Sequence, residues 1–239
     1  IALLASFSFI FSCGPANNFN PCPKGSLPLK DTVFGYIEQY YDEPTSFRIF
    51  PDSRIKLSRK EGGRFEMSTH GNILSRFQAF QQGDTFTLDF KSCIFAYNPL
   101  DLTIVASDIT SIYTHDSCVF AMDEGFAAPE LSVNANGETQ GMIDGDINRL
   151  KINSYSTDTL STAGSHKLLY VNQYGDGVFD AQKATVSTAD VANFGKGSIF
   201  LPVCDTIYVE IADSGNVYYR GEPIIIPTIS GFGELIKLN

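Results

Sequence analysis

The chain has 239 residues and a formal net charge of −10, from 17 Lys and Arg against 27 Asp and Glu. A surface that follows nucleic-acid phosphates needs clustered cations, so this charge argues against a nucleic-acid partner. Hydrophobic residues make up 43% of the chain and charged residues only 18%, which excludes a disordered or coiled-coil protein. The length suits one large all-β domain or two smaller domains.

The first residues resemble a bacterial lipoprotein signal. Residues 1–11 are apolar or Ser, which suits the apolar region of a secretory signal and is too short for a membrane-spanning helix of roughly 20 residues. Ser12 precedes Cys13 and Ile10 lies three residues before it, a pattern similar to the lipobox whose Cys is acylated. We predict a truncated signal peptide over 1–12, lipidation of Cys13 and a flexible tether over 13–31. The alternative is a buried N-terminal strand that ends in an ordinary Cys.

The same segment predicts where the protein resides. Gly14 follows Cys13, whereas an Asp there would resemble an inner-membrane retention signal. We therefore expect a lipid-anchored protein of the outer membrane, on its periplasmic or its surface side, because the several acyl chains of a lipoprotein bind a bilayer stably. In such an oxidising compartment the other cysteines are expected to be buried thiols or to form one disulfide.

Short strands are predicted from about Thr32 onward. Apolar and polar residues alternate in runs such as Phe47–Phe50 and Thr85–Phe90, and a period of two is typical of strands with one buried face. The sequence around Cys93 returns 25 residues later around Cys118, and a matched strand follows each copy, from Leu102 and from Leu131. If the two repeats are neighbouring rungs, a strand spacing near 4.8 Å permits a Cys93–Cys118 disulfide.

The repetition becomes regular in the C-terminal half. The residues Leu131, Leu150, Leu169, Val186 and Ile207 follow one another at steps of 19, 19, 17 and 21 residues. Steps near 20 predict a solenoid in which apolar ladders stack between rungs. Corner glycines such as Gly175, Gly197 and Gly215 are expected to permit a positive φ. A sandwich of hairpins is the alternative, and it does not account for the near-constant step.

Several segments together resemble one known family, and the C-terminal third carries most of the likeness. They are Phe47–Ile49, Phe126–Val133, Phe179–Ala181, Ile211–Pro223 and Ile229–Gly233. These segments resemble the head GIN domain of autotransporter-type adhesins, a family common in Bacteroidetes-like bacteria. The resemblance implies an all-β fold, a right-handed single-stranded β-helix with short strands over residues 32–239.

The sequence offers little for catalysis or metal binding. The segment from Asn172 to Gly177 resembles a calcium loop, but Tyr174 and Lys183 occupy positions where oxygen ligands are needed. His115 and Asp116 are adjacent, and neighbours on a strand point to opposite faces, which disfavours a catalytic relay. We therefore predict no catalytic residue, no metal and no cofactor.

Outward tyrosines are the candidate binding residues. Tyr170 and Tyr208 each lie between two residues that are expected to face inward, so their side chains should face out. With Tyr218 they form a candidate surface for a glycan or an envelope protein, since aromatic rings give large contact area at small entropic cost. The alternative is ordinary packing between rungs.

The sequence thus predicts a non-enzymatic envelope lipoprotein with an adhesin-like β-helix that serves in surface binding or adhesion. One alternative is a structural or regulatory envelope component that binds a protein partner. Another is a carbohydrate-active enzyme, because polysaccharide lyases also use β-helices.

Overall fold

A computed structural model describes residues 34–40, 44–50, 53–70, 76–91, 100–115 and 117–239. These residues contain strands and no helix. The strands are β1 (Phe34–Tyr40), β2 (Ser46–Ile49), β3 (Ser53–Arg59), β4 (Arg64–His70), β5 (Phe77–Gln82), β6 (Thr85–Phe90), β7 (Leu100–Ala106), β8 (Ser111–Thr114), β9 (Cys118–Met122), β10 (Ala127–Ala135), β11 (Gln140–Ser154), β12 (Thr159–Gln173), β13 (Val178–Asn193), β14 (Ser198–Val203), β15 (Thr206–Ile211), β16 (Val217–Arg220), β17 (Ile224–Ile229) and β18 (Leu235–Lys237).

The fold is the predicted parallel β-solenoid, and its strands stack in two columns. The front column consists of β6, β2, β8, the C-terminal halves of β10 to β13, β15 and β17. The back column consists of β7, β3, β9, the N-terminal halves of β11 to β13, β14, β16 and β18. One continuous apolar core fills the space between the columns.

The predicted inward ladders are present, with one change of member. Leu131 pairs with Leu150 and Leu150 with Leu169, and all three are fully buried. The next member is Ala189 rather than Val186, because Leu169 pairs with Ala189 and Ala189 with Ile207. A register shift between Ser161 and Ala163 adds one residue to β13. The apolar pattern of the sequence does not reveal this bulge.

The first rungs do not stack in chain order, and here the sequence-based expectation is wrong. Strand β2 lies between β6 and β8 in the front column, and β3 lies between β7 and β9 in the back column. The β2–β3 rung is therefore inserted between two rungs that follow it in sequence. The proposed match between Leu102 and Leu131 also fails, because Leu102 belongs to the back column and Leu131 to the front column.

Antiparallel strands close the N-terminal end of the solenoid. Strand β5 pairs with β6, β4 pairs with β7, and β1 pairs with β4, all antiparallel. They cover the edge that the first parallel rung would otherwise expose, which is the usual protection of an edge strand. They also add the side chains of β5 to the front of the molecule.

The corner glycines are required by close stacking and not by a left-handed backbone. Among the described glycines a positive φ occurs at Gly62, Gly83, Gly125, Gly164 and Gly221, so the predicted positive φ at Gly175, Gly197 and Gly215 is wrong. A Cβ at Gly197 would overlap the carbonyl oxygen of Gly177, and one at Gly215 would overlap that of Gly197. Successive corners are therefore packed backbone on backbone.

Candidate binding face

The outer face of the front column carries three rows of side chains that run along the solenoid axis. The rows are defined by strand register and by backbone hydrogen bonds between rungs. The first row contains Ser46, Ser111, Ser132, Lys151, Tyr170, Asp190 and Tyr208. The second row contains Thr87, Arg48, Tyr113, Asn134, Asn153 and Asn172. The third row contains Phe50, His115, Asn136, Tyr155, Tyr174, Phe194 and Ala212.

A groove of about 580 Å³ lies at the N-terminal end of this face. Strands β2, β5, β6 and β8 contribute its lining, which consists of Ser46, Arg48, Phe50, Phe80, Gln82, Thr85, Thr87, Asp89 and Tyr113. Its size lies within the range of roughly 300–1,000 Å³ that small-molecule sites occupy. The inserted β2 rung therefore brings together residues that are far apart in sequence.

Aromatic and charged groups meet along one side of the groove. The Cζ atom of Arg48 lies 5.2 Å from the centre of the Tyr113 ring, within the range of a cation–π interaction. The Phe50 and His115 rings stack with centres 4.2 Å apart. Burial lowers the pKa of His115, Arg48 lowers it further, and Asp89 acts in the opposite direction. His115 is therefore held in its neutral form at neutral pH.

An asparagine ladder continues the second row beyond the groove. Asn153 donates from Nδ2 to Oδ1 of Asn134 at 2.7 Å, and Asn172 donates to Oδ1 of Asn153 at 2.8 Å. The amides of Asn134 and Asn153 are buried, with 8% and 7% of the residue exposed. Because each amide offers one donor and one acceptor along the axis, the ladder satisfies buried polar groups from rung to rung.

Stacked rings continue the third row. The Tyr155 and Tyr174 rings lie 5.1 Å apart at 4°, and Tyr174 and Phe194 lie 5.2 Å apart at 15°. Burial raises the pKa of Tyr155, and the neighbouring phenols of Tyr174 and Tyr113 raise it further. Tyr174 is the middle ring of this stack and has a ring on each face, so it contributes packing and presents mainly its edge to solvent.

The three tyrosines proposed from the sequence do not form one surface. Tyr170 and Tyr208 share the first row, but Asp190 separates them. Tyr218 lies in the back column and stacks on Phe200 with ring centres 4.6 Å apart. Whether these tyrosines bind anything stays a prediction.

The ring-bearing positions of the third row were not among the binding residues predicted from the sequence. Their signal is the spacing Asn134-x-Asn136, Asn153-x-Tyr155 and Asn172-x-Tyr174, which recurs at steps of 19 residues. It places an amide and, two residues later, a second outward side chain on each rung. The pattern was visible in the sequence, but its meaning depends on strand register.

The cysteines are only partly described. Cys13, Cys22 and Cys93 lie outside the described residues, so lipidation of Cys13 and the Cys93–Cys118 disulfide stay predictions. Cys118 is buried and pairs in register with Ser53 of the inserted β3 strand. Burial, with a smaller effect of Asp205, raises the pKa of the Cys204 thiol to about 11.

The described residues offer no assembled metal site. Within the ranges given above, no three His, Cys, Asp or Glu side chains lie close enough together to hold an ion. His166 is buried with Nε2 2.8 Å from Thr162 Oγ1 and Nδ1 3.1 Å from the Ile147 carbonyl oxygen, which is the environment of a core histidine. In the part of the chain that the structure describes, no helix is long and apolar enough to cross a membrane.

The architecture defines the class of the protein as a parallel β-solenoid. A family model described as "Putative auto-transporter adhesin, head GIN domain" matches residues 44–223, and the chain belongs to this family. Its description supports an adhesin-like role and indicates a cell-surface or envelope location. No curated protein matches the chain.

Solved structures share the fold at low sequence identity. A putative adhesin from Bacteroides fragilis has a TM-score of 0.79 at 14% identity and covers 87% of this chain and 98% of its own. A putative lipid binding protein from Parabacteroides distasonis has a TM-score of 0.71 at 14% identity, with the same two shares. A putative adhesin from Parabacteroides merdae has a TM-score of 0.68 at 15% identity and covers 87% of this chain and 97% of its own. At these identities the likeness concerns the fold alone.

Proposed function

We propose that the protein is a non-enzymatic adhesion module of the bacterial envelope, anchored to the outer membrane through lipid on Cys13, and that its groove binds a glycan. The observation that carries the proposal is the lining of the groove. Three aromatic rings, Phe50, Phe80 and Tyr113, are interspersed with hydroxyl, amide, guanidinium and carboxylate groups. Sugars present apolar CH faces and many hydroxyls, and this mixture complements both.

The same lining disfavours glycan cleavage. Hydrolysis of a glycosidic bond generally needs two carboxyl groups that flank the bond. Asp89 is the one carboxylate among the described residues that line the groove, and only 8% of it is exposed. Binding without turnover is therefore the activity that the groove supports best.

A glycan array with the whole chain tests the proposal. Arg48→Ala and Tyr113→Ala should each remove binding, while Tyr208→Ala, at an exposed tyrosine elsewhere on the face, should leave it unchanged. No sugar should be released during long incubation. Loss of binding in Tyr208→Ala with both groove variants unaffected would move the site to the predicted tyrosine surface.

The anchor needs a separate experiment in cells. Labelled fatty acid should be incorporated into the protein, and the protein should fractionate with the outer membrane. Cys13→Ser should remove both the label and the membrane association, while Cys22→Ser should retain them. Unlabelled protein that still fractionates with the membrane would contradict lipid anchoring at Cys13.

A protein partner is the second candidate, and an exposed apolar end of the solenoid favours it. The exposed fractions at this end are 67% for Ile224, 46% for Ile226, 48% for Ile229 and 93% for Phe232, and several exposed large apolar side chains at one end of a fold often mark a protein interface. Co-purification of one fixed envelope protein, abolished by Phe232→Ser and retained in Arg48→Ala, would support this candidate.

A further inference from the structure

The third row contains a gap in its sequence of stacked rings. Phe50 stacks on His115 on one side, and Tyr155 begins the stack with Tyr174 and Phe194 on the other. The rung between them carries Asn136 at the corresponding position. The amide N–H of Asn136 donates to the Thr114 carbonyl oxygen at 2.9 Å, and that of Tyr155 donates to the Ala135 carbonyl oxygen at 2.9 Å.

These hydrogen bonds determine the width of the gap. Asn136 lies one rung from His115 and one rung from Tyr155, and adjacent strands are about 4.8 Å apart. The backbones that carry the two rings are therefore separated by about 9.6 Å, two strand spacings. The second face of His115 points away from Phe50, and that of Tyr155 points away from Tyr174, so both of these faces are directed towards the rung of Asn136. We call the space bounded by His115, Asn136 and Tyr155 the notch.

The floor of the notch is polar. Asn136 is exposed, and its side-chain amide makes no hydrogen bond to another described residue. Tyr155 is 48% exposed. The notch thus combines two aromatic walls with donor and acceptor groups that a ligand could use.

We propose that the notch holds one pyranose ring of the glycan, inserted between the His115 and Tyr155 rings with its hydroxyls on the Asn136 amide. The inference rests on the proposed function and names the place of a particular sugar unit. Two strand spacings leave room for one ring between two others, and the CH faces of a pyranose suit aromatic walls on both sides. An aromatic side chain would fill the same space but would leave the Asn136 amide without a partner, which favours a sugar.

The notch also gives the glycan a direction. It adjoins the groove through His115, which stacks on the groove residue Phe50, and both sites lie on the front column. A chain that occupies both must therefore run along the solenoid axis. Its sugar units would follow the rungs from the N-terminal end towards Asn136.

The decisive variant fills the gap with the ring that the row lacks. Asn136→Tyr should stack between His115 and Tyr155, raise the thermal midpoint and lower glycan affinity at least about tenfold. Ala212→Tyr is the matched control, because Ala212 follows Phe194 in the same row. It adds a ring at the end of the stack, away from the notch, and should leave affinity unchanged. Equal affinity in wild type and Asn136→Tyr would overturn the inference.

A direct probe separates this inference from the proposed function. Methyl β-D-glucopyranoside, titrated at millimolar concentration, should shift the NMR signals of the Asn136 side-chain amide and the His115 imidazole in the wild-type chain. Array binding that depends on Arg48 but is retained in Asn136→Tyr would overturn the notch and leave the proposed function intact. Shifts at Asn136 in a protein that binds no glycan on the array would support the notch and contradict the proposed function. Absence of both would overturn both.

Discussion

Removing the central amide of the asparagine ladder should cost more stability than removing its end. Asn153 donates to Asn134 and accepts from Asn172, so Asn153→Ala breaks two hydrogen bonds. Asn172→Ala breaks one of them. At about 0.5–1.5 kcal/mol for each bond, the expected losses are about 1–3 kcal/mol and about 0.5–1.5 kcal/mol. The Asn134 acceptor that Asn153→Ala leaves behind is buried, which places that variant towards the upper end of its range.

Thermal and denaturant unfolding measure this difference. For a chain of this length, about 2 kcal/mol lowers the midpoint by about 4–8 °C. Asn148→Ala is the control, because Asn148 is exposed in the same strand β11 and its replacement should change stability by less than about 0.5 kcal/mol. Solenoid rungs can unfold in part, so both probes should report on the same transition before free energies are compared.

A specific order of midpoints is therefore required. Asn148→Ala should unfold close to wild type, Asn172→Ala lower, and Asn153→Ala lowest. If Asn153→Ala unfolds together with Asn148→Ala, the side-chain amides contribute no net stability. The ladder would then be a consequence of the stacking and not one of its causes.

Three further outcomes are expected. Gly197→Ala should destabilise the chain more than Gly83→Ala, a substitution at an exposed glycine with a positive φ. The Cβ of an alanine at 197 would overlap the Gly177 backbone, whereas nothing lies near the Cβ of an alanine at 83. Similar thermal midpoints for the two variants would contradict close corner stacking. Cys204 should resist iodoacetamide at pH 8 in the native protein and react after unfolding, since a pKa of about 11 leaves about 0.1% of the thiol as thiolate. Rapid alkylation of Cys204 in the native protein, mapped by mass spectrometry, would refute the burial of this thiol. Burial lowers the pKa of His166, so the unfolded chain binds a proton more readily than the native state does. The free energy of unfolding should therefore fall as the pH drops below about 6.5. His166→Gln should flatten this pH dependence, and an unchanged slope would exclude His166 as its source.

The regular half of the fold was predictable from the sequence because each rung repeats the same pattern of apolar and polar residues. Leu131, Leu150 and Leu169 recur at a constant step, and alternation determines which of their neighbours face inward. The prediction failed at Val186, because an apolar residue in a strand does not reveal which residue of the next rung it pairs with. Val186 is as apolar as a ladder member, but the register of β12 and β13 pairs it with His166 and pairs Leu169 with Ala189.

The N-terminal half and the candidate site could not be predicted from the sequence, for a different reason. Alternation identifies a strand but not its partner, and β2 pairs with strands that begin about 40 and 65 residues later. The groove depends on those pairings, because Arg48, Asp89 and Tyr113 come from three strands that only the inserted rung brings together. Single residues gave no indication of this, since each resembles any outward polar or aromatic side chain.

The inserted rung restricts how the molecule can be assembled. A solenoid that stacks in chain order can grow one turn at a time from either end, but the strand that begins at Ser46 must be enclosed on both sides by segments made later. Segments up to Met122 must therefore emerge before this end can close, and slow non-local steps of this kind tend to limit folding rates. If the groove binds a ligand as proposed, that binding reports on correct assembly of the inserted rung, because a misassembled chain would retain the regular C-terminal turns and lack the binding activity.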